Sequence, residues 1–309
     1  MVEYPRTTIE FHDMFASEND CMRYLERIRF DQIFSCPHCR GTHARRRTDG
    51  AFRCLNCGRN ISVKSGTIFH QSHIPLRTWF HAIWEMVSHK QGVSALGLQQ
   101  TLGMRSHATA WDMLRKLRQA MVRPDQERLS GLVEVDETII GGLRPFTFGR
   151  TPTSKVLVLI AVEDKGVQGM GRIRLKVIPD AGADMLERGV RSMAALESCI
   201  RTDGFKGYLR LFSLGYGHTM IKKRDVKDGS DTTPLVHRVA SLLKRWLLST
   251  HQGAVHAEYL QEYLNEFTFR FNRRRSRSRG LLFYRLVEIA CAKRPDIHLP
   301  RERKKKKSR

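Results

Sequence analysis

The chain lacks any long apolar run. The longest, VLVLIAV at residues 156–162, is far short of the roughly 20 residues a bilayer span needs, so no membrane partner is expected. Its first residues, MVEYPRTTIE, lack the apolar core of a secretory signal, which points to a cytoplasmic protein. Acidic residues are scarce: 31 Asp and Glu stand against 54 Lys and Arg, giving a net charge of +23 and a pI near 10.2. Such an excess points to a polyanionic partner, nucleic acid before an anionic membrane surface. Disorder as the general state is excluded, because 41% hydrophobic and 8% aromatic residues suffice for a core.

Cysteine is sparse but patterned. Cys36 and Cys39 form one Cys-x-x-Cys pair, and Cys54 and Cys57 form another. Two such knuckles can place four thiolates around one tetrahedral ion, and Zn²⁺ favours that soft set. A redox pair or a disulfide would give the same dipeptide spacing, but two matched pairs in an intracellular chain argue against both. His38 and His43 lie nearby and are not needed by a closed four-thiolate site. Cys21, Cys199 and Cys291 stand alone and are expected to be small buried apolar residues.

Five regions follow along the chain. Residues 1–33 read as a helical lead-in, and residues 34–62 as a zinc ribbon with Arg45, Arg46 and Arg47 between its knuckles. Residues 75–122 read as helical, opened by Pro75. Within them SALGLQQTL, a turn at Gly103 and HATAWDMLRKLRQAM fit a helix-turn-helix, with Arg105, Ser106 and His107 at the start of the groove-reading helix. A plain αα-hairpin would give the same pattern. Residues 131–290 alternate strand-like stretches (LVEVDETII, KVLVLIAVE, RIRLKVIP) with helices and read as a mixed α/β domain. Residues 291–309 read as a basic disordered tail. From 270 onward there are 16 Lys or Arg against 3 Asp or Glu, and FRFNRRRSRSR interleaves aromatic and basic residues. That composition suits a nucleic-acid backbone, with Arg273, Arg274 and Arg275 as contacts, although a solvated tail would also be basic.

Carboxylates on apolar strands of a basic chain need a partner or a metal. Asp136 lies in LVEVDETII and Asp203 ends CIRTDG. Strand-end carboxylates can hold Mg²⁺ or Mn²⁺, and two such ions about 4 Å apart can drive phosphodiester attack. Asp203 before Gly204 could equally cap a turn. Two helical residues can supply a third ligand: His237 on LVHRVASLLKRWLL, or Glu266 on EYLQEYLNEFTF. Lys244 shares the face of His237, being seven residues on. Glu137 should point away from Asp136, across the strand. A lone surface histidine without function is the plainer reading of His237.

These stretches together resemble the ISXO-like insertion-sequence transposases of bacteria. The resemblance rests on CPHC and CLNC, GVSALGLQQTLG with ATAWDMLRKLR, VEVDETIIGG, RTDGFKGY, HRVASLLKRWLLSTHQGAV and YLQEYLNEFTFRFNRR. It implies a ribonuclease H-like α/β catalytic domain behind a zinc ribbon. It also implies a metal-dependent enzyme that binds terminal inverted repeats in double-stranded DNA, cleaves strands and transfers them. The catalytic residues it implies are Asp136, Asp203 and His237, with Lys244 on a terminal phosphate and Glu266 in reserve. His237 stands where the wider pattern has Glu, and imidazole suits Mn²⁺ better than Mg²⁺. Synapsis of two ends implies a dimer or higher oligomer on DNA. The alternatives are a DNA-binding regulator with an inactive α/β domain, or a nuclease without strand transfer.

Overall fold

The computed structural model describes residues 3–30, 34–48, 50–122, 127–141, 155–222, 224, 226, 230–252 and 255–292. The basic tail therefore falls almost wholly outside the described residues.

The N-terminal helices are set by local chemistry. The Thr7 hydroxyl accepts from the Glu10 N–H and caps α1 (Thr8–Met14). Ser17 and Asp20 make reciprocal bonds that open α2 (Glu18–Phe30) as a capping box. The Glu18 carboxylate then reaches across to accept from the N–H groups of Leu76 and Arg77, at 2.7 and 2.8 Å, closing the orphan start of α3 (Leu76–Ser88). On α3, Leu76, Trp79, Phe80, Ile83, Trp84 and Val87 form one buried face at helical spacing.

Next come α4 (Ala95–Thr101) and α5 (His107–Ala120), separated by a turn in which Gly103 adopts φ 59°, a conformation that favours glycine. The two helices form a hairpin, the arrangement that a helix-turn-helix and a plain αα-hairpin share.

The ribbon is a three-stranded antiparallel sheet of β1 (Ala44–Arg46), β2 (Phe52–Cys54) and β3 (Asn60–Ile61). Each knuckle closes with a tight turn, Arg40 N–H to Cys36 O and Gly58 N–H to Cys54 O.

The second unit is a five-stranded mixed sheet. Its strands are β4 (Leu132–Ile140), β5 (Val156–Asp164), β6 (Met170–Ile178), β7 (Cys199–Asp203) and β8 (Gly217–Ile221), in the order β6-β5-β4-β7-β8. The first three form an antiparallel meander; β7 and β8 run parallel to β4. This is the ribonuclease H-like arrangement expected from the sequence. Strand alternation divides the faces. Val133, Val135, Leu159 and Ala161 pack on α6 (Ala183–Met193) and on Tyr208 and Leu211 of the turn after β7. Val158, Ile160 and Val162 pack on α7 (Pro234–His251) and α8 (Leu260–Asn272).

The last helix, α9 (Arg279–Ala292), does not pack on the sheet. Leu282, Phe283, Leu286 and Val287 enter the core formed by Phe11, Phe15, Tyr24, Trp79 and Phe80. Gly280 makes this possible, because a Cβ there would collide with the Pro5 carbonyl. The sequence grouping of 131–290 as one unit is corrected here. Its final helix belongs with the N-terminal helices, which themselves share one core with α3–α5 rather than standing as a separate lead-in. Of the lone cysteines, Cys21 is buried as expected, whereas Cys199 and Cys291 are only partly covered.

Candidate active site

Asp136 lies on the central strand β4, on the face that meets α7. Its Oδ2 accepts from the Thr233 hydroxyl at 2.6 Å and stands 3.5 Å from His237 Nε2; its Oδ1 accepts from the Glu137 N–H at 2.7 Å. Thr233 is the residue before α7, so the carboxylate is fastened to the start of the helix that carries His237. Burial pushes the Asp136 pKa up. The Thr233 and Glu137 bonds work against that rise, while the charge of Asp203 adds to it.

Asp203 is placed by register. β4 and β7 pair Glu134 with Arg201, and Asp136 and Asp203 each lie two residues further along. Period-two alternation gives Asp203 the same face as Arg201, whose guanidinium bonds Glu134 on the α7 side. Asp203 Oδ1 accepts from the Phe205 N–H at 3.0 Å, the turn-capping bond its sequence context suggests.

His237 is exposed, one turn into α7. Its Nδ1 lies 2.6 Å from Asp231 Oδ2, which leaves Nε2 as the atom facing Asp136. Lys244 and Arg245 are exposed further along the helix. A shallow cavity of about 330 Å³ is lined by Asp231, His237, Arg238, Ser241 and Arg245.

Glu137 turns to the other face, where the Tyr208 hydroxyl donates to its Oε2 at 2.6 Å. Glu266 is engaged elsewhere. It is fully buried, with Oε2 2.8 Å from Arg118 Nε of α5 and Oε1 2.8 Å from Arg270 Nε. Both oxygens are thus taken by guanidiniums that join α5 to α8.

Two residues went unread in the sequence. Glu134, also fully buried, accepts from the Val236 N–H at 2.7 Å and pairs with Arg201 at 2.6 Å, holding the first turn of α7 against β4. Its i, i+2 spacing from Asp136 was the available signal. Asp231 lies six residues before His237, in a charged loop that gave no hint of the contact.

Cys36, Cys39, Cys54 and Cys57 bring their Sγ atoms within 4.8 Å of one another, with Cys36–Cys57 at 3.7 Å and Cys39–Cys54 at 3.5 Å. A tetrahedron with Zn–S bonds of about 2.3 Å has edges near 3.8 Å, so the donor set fits a structural zinc. Among the described residues no other group of three or more His, Cys, Asp or Glu ligand atoms converges this tightly. Asp136, Asp203 and His237 are a looser set. His38 is taken by Arg59 at 2.8 Å, in keeping with a four-thiolate site.

Residues 128–272 match the ISXO2-like transposase domain, and residues 16–60 match the transposase zinc-ribbon domain. The first match contains Asp136, Asp203 and His237; the second contains all four ligating cysteines. This is an ISXO2-like transposase domain behind a transposase zinc ribbon. A relative of this chain, an uncharacterised protein in the transposable element ISH50 of Halobacterium salinarum, is 27% identical over 281 residues, spanning 83% of this chain and 91% of its own. A chain of the simian T-cell lymphotropic virus intasome, in complex with the PP2A regulatory subunit B56 gamma, is 14% identical. It aligns over 59% of this chain and 66% of its own with a TM-score of 0.29, too loose a likeness to bear on the site.

The transposase zinc-ribbon match begins at residue 16 and so takes in α2 as well as the ribbon strands. Arg105, Ser106 and His107 are exposed at the start of α5, while the rest of that helix is largely covered. Arg115 and Gln119 both bond Glu262 of α8, and Arg118 bonds Glu266. Only the first turn of α5 is therefore open to a groove. The arginines expected to grip DNA have partners within the chain. Arg273 lies over the Phe269 ring and donates to the Phe269 carbonyl. Arg274 lies over the Phe271 ring and donates to the Met170 and Gly171 carbonyls, and Arg275 donates to the Gln168 carbonyl. Arg274 and Arg275 fasten the β5–β6 turn to the end of α8.

Proposed function

We propose that this chain is the transposase of an insertion sequence, binding the terminal inverted repeats of its element and catalysing metal-dependent strand cleavage and strand transfer. The observation that carries the reading is the approach of His237 Nε2 to Asp136 across the joint between β4 and α7, with Asp203 next to Asp136 by register. Two clustered carboxylates and an imidazole suit a divalent cation, Mg²⁺ or Mn²⁺. Burial raises the Asp136 pKa and the charge of Asp203 adds to the rise, so a bound cation would favour its ionised form. Asp136, Asp203 and His237 would hold the cation. Once bound, it supplies Lewis-acid charge to the phosphodiester and eases ionisation of the attacking hydroxyl.

The chain's own groups do the rest by position. Asp231 accepts the Nδ1 proton and fixes the imidazole with its Nε2 lone pair toward Asp136. Thr233 holds one carboxylate oxygen of Asp136. Arg238 and Lys244, on the exposed face of α7, bind backbone phosphates and orient the strand. Base reading falls to Arg105, Ser106 and His107 at the open end of α5. The protein acts on double-stranded DNA in the cytoplasm of a bacterial host, on the nucleoid, as a dimer or larger assembly on paired ends.

The test is cleavage of a duplex carrying the element end in Mn²⁺. Asp136→Asn is expected to lower the rate by about a hundredfold or more while leaving DNA affinity within twofold. Unchanged cleavage would return the chain to a DNA-binding regulator with an idle α/β domain. Cutting without any joined product from a pre-cut end would make it a nuclease.

A further inference from the structure

A second cavity lies further along α7 than the His237 cavity, and Leu242 and Arg245 line both. It is enclosed by α3, α7, α8 and α9 and measures about 530 Å³, within the roughly 300–1,000 Å³ of small-molecule sites. Its wall is aromatic: Trp246, Phe267 and Phe271 contribute, all nearly buried. The Trp246 indole N–H is spent on the Gln91 carbonyl at 2.7 Å, so the indole offers its ring and not its donor. The exposed mouth carries Lys90, Arg245 and Arg279. Among the described residues, none of the three makes a hydrogen bond or ion pair, unlike Arg270, Arg273 and Arg274 beside them.

An apolar aromatic pocket ringed by uncommitted cations is not suited to an arginine- and lysine-rich segment such as this chain's own C-terminus. It suits a flat π-system joined to an anionic backbone. We propose that this cavity takes an unstacked nucleobase of the DNA strand held at the His237 site, with Lys90, Arg245 and Arg279 on the flanking phosphates. The inference rests on the strand-cleavage reading above and extends it to the path of the strand. Nine residues of helix separate His237 from Trp246, about 13–14 Å of rise. At about 3.4 Å per stacked nucleotide, and roughly twice that when extended, the captured base lies two to four nucleotides from the reacting phosphate. Unstacking a base there would fix the register of the strand.

The experiment needs neither the terminal repeat sequence nor catalysis. Full-length protein is titrated with two single-stranded probes of equal phosphate count: twelve thymidines, and twelve abasic deoxyribose units. The thymidine strand is expected to bind about fivefold or more tightly, the low end of what one base–aromatic stack contributes. Ser249 is exposed at the mouth on α7, and Ser249→Leu plugs it without entering the core. That variant should bring thymidine binding down to the abasic level and leave abasic binding unchanged. A second reading needs no plug: thymidine binding should quench tryptophan fluorescence, and Trp246→Phe should remove the quench. Equal affinity for the two probes, or a preference that survives Ser249→Leu, would overturn the proposal. Because cleavage is not measured, a failed Asp136→Asn test and a failed pocket test remain separate results.

Discussion

Glu266→Ala separates chemistry from architecture. The Glu266 carboxylate is fully buried and bridges Arg118 of α5 and Arg270 of α8, both at 2.8 Å. Arg118 is itself only 2% exposed and also lies 4.1 Å from the Tyr263 ring centroid. Arg270 continues the link by donating to the His89 and Met86 carbonyls at the end of α3. Burial pushes the Glu266 pKa up, and the two guanidiniums more than reverse this, leaving it below the usual carboxylate value. Truncation to Ala strands two guanidiniums, one wholly buried. Breaking such a pair costs about 3–5 kcal/mol, a large fraction of the 5–15 kcal/mol that holds a typical domain together.

The described residues form four separate hydrophobic clusters, which makes a single two-state transition a poor gauge, so the assay is amide hydrogen exchange. Protection of the second half of α5 and of α8 is expected to fall by about a hundredfold, the 3 kcal/mol end of that range. Protection of β4 should hold. Glu266→Gln, which keeps shape and one acceptor, should cost about half as much. Should Glu266→Ala leave exchange unchanged and abolish strand cleavage, Glu266 would be a catalytic ligand and the architectural assignment would be wrong.

Further outcomes can be checked. Asp231→Asn should lower Mn²⁺ affinity about 10- to 100-fold, the usual cost of losing the carboxylate that orients a ligating imidazole, with little change in melting temperature; calorimetric titration of metal reads this, and unchanged affinity would dismiss the orienting role. Chelation of zinc should release protection in residues 44–61 and leave the β4–β5 ladder protected, read by hydrogen exchange before and after chelator; a ribbon that keeps its protection would refute the four-thiolate site. His251 packs edge-on to Trp246 and Tyr263, near Glu266, Arg118 and Arg270, and burial depresses its pKa to about 4 from 6.5. The native state holds it neutral, so this contribution is fully present above pH 6.5 and is lost as pH falls toward about 4, some 3 kcal/mol in all. A stability–pH curve for His251→Phe that still falls by this amount would exclude it as the source.

Most of the second unit was legible because each strand carries its own evidence. Nine-residue stretches rich in Val, Ile and Leu mark β4, β5 and β6, and the alternation within β4 assigns Asp136 and Glu137 to opposite faces. The ribbon was legible for the same reason, its spacing being a local property. What escaped was every residue whose meaning lies in a distant partner. Glu266 reads as one more acid on an amphipathic helix until Arg118 is set beside it. Arg274 and Arg275 read as a basic patch until the β5–β6 turn arrives to take their donors. The apolar face of α9 announces that it is buried and not where; its core lies with residues near the start of the chain. The periodicity of a helix encodes a face, whereas the choice between two available cores is settled by shape, here by the space that Gly280 leaves for Pro5.

The carboxylates on the α7 face of β4 show why the site and the fold cannot be separated. Glu134 and Asp136 sit two residues apart and both bind the opening of α7, one through the Val236 N–H and the other through the Thr233 hydroxyl. The first is neutralised by Arg201, which also bonds Asp164 at 2.9 Å, and so serves as an anchor. Among the described residues the second faces no cationic side chain other than the exposed His237, and has Asp203 beside it. The same strand face therefore carries one acid paired with a guanidinium, which sets the position of the helix, and one acid without such a partner, which the helix brings to His237. Removing Glu134 should loosen α7 first and reduce catalysis only as a consequence. Restoring the charge balance with a paired Glu134→Gln, Arg201→Gln change should recover α7 protection in hydrogen exchange. If the double variant stays as loose as Glu134→Gln alone, charge balance is not what seats the helix.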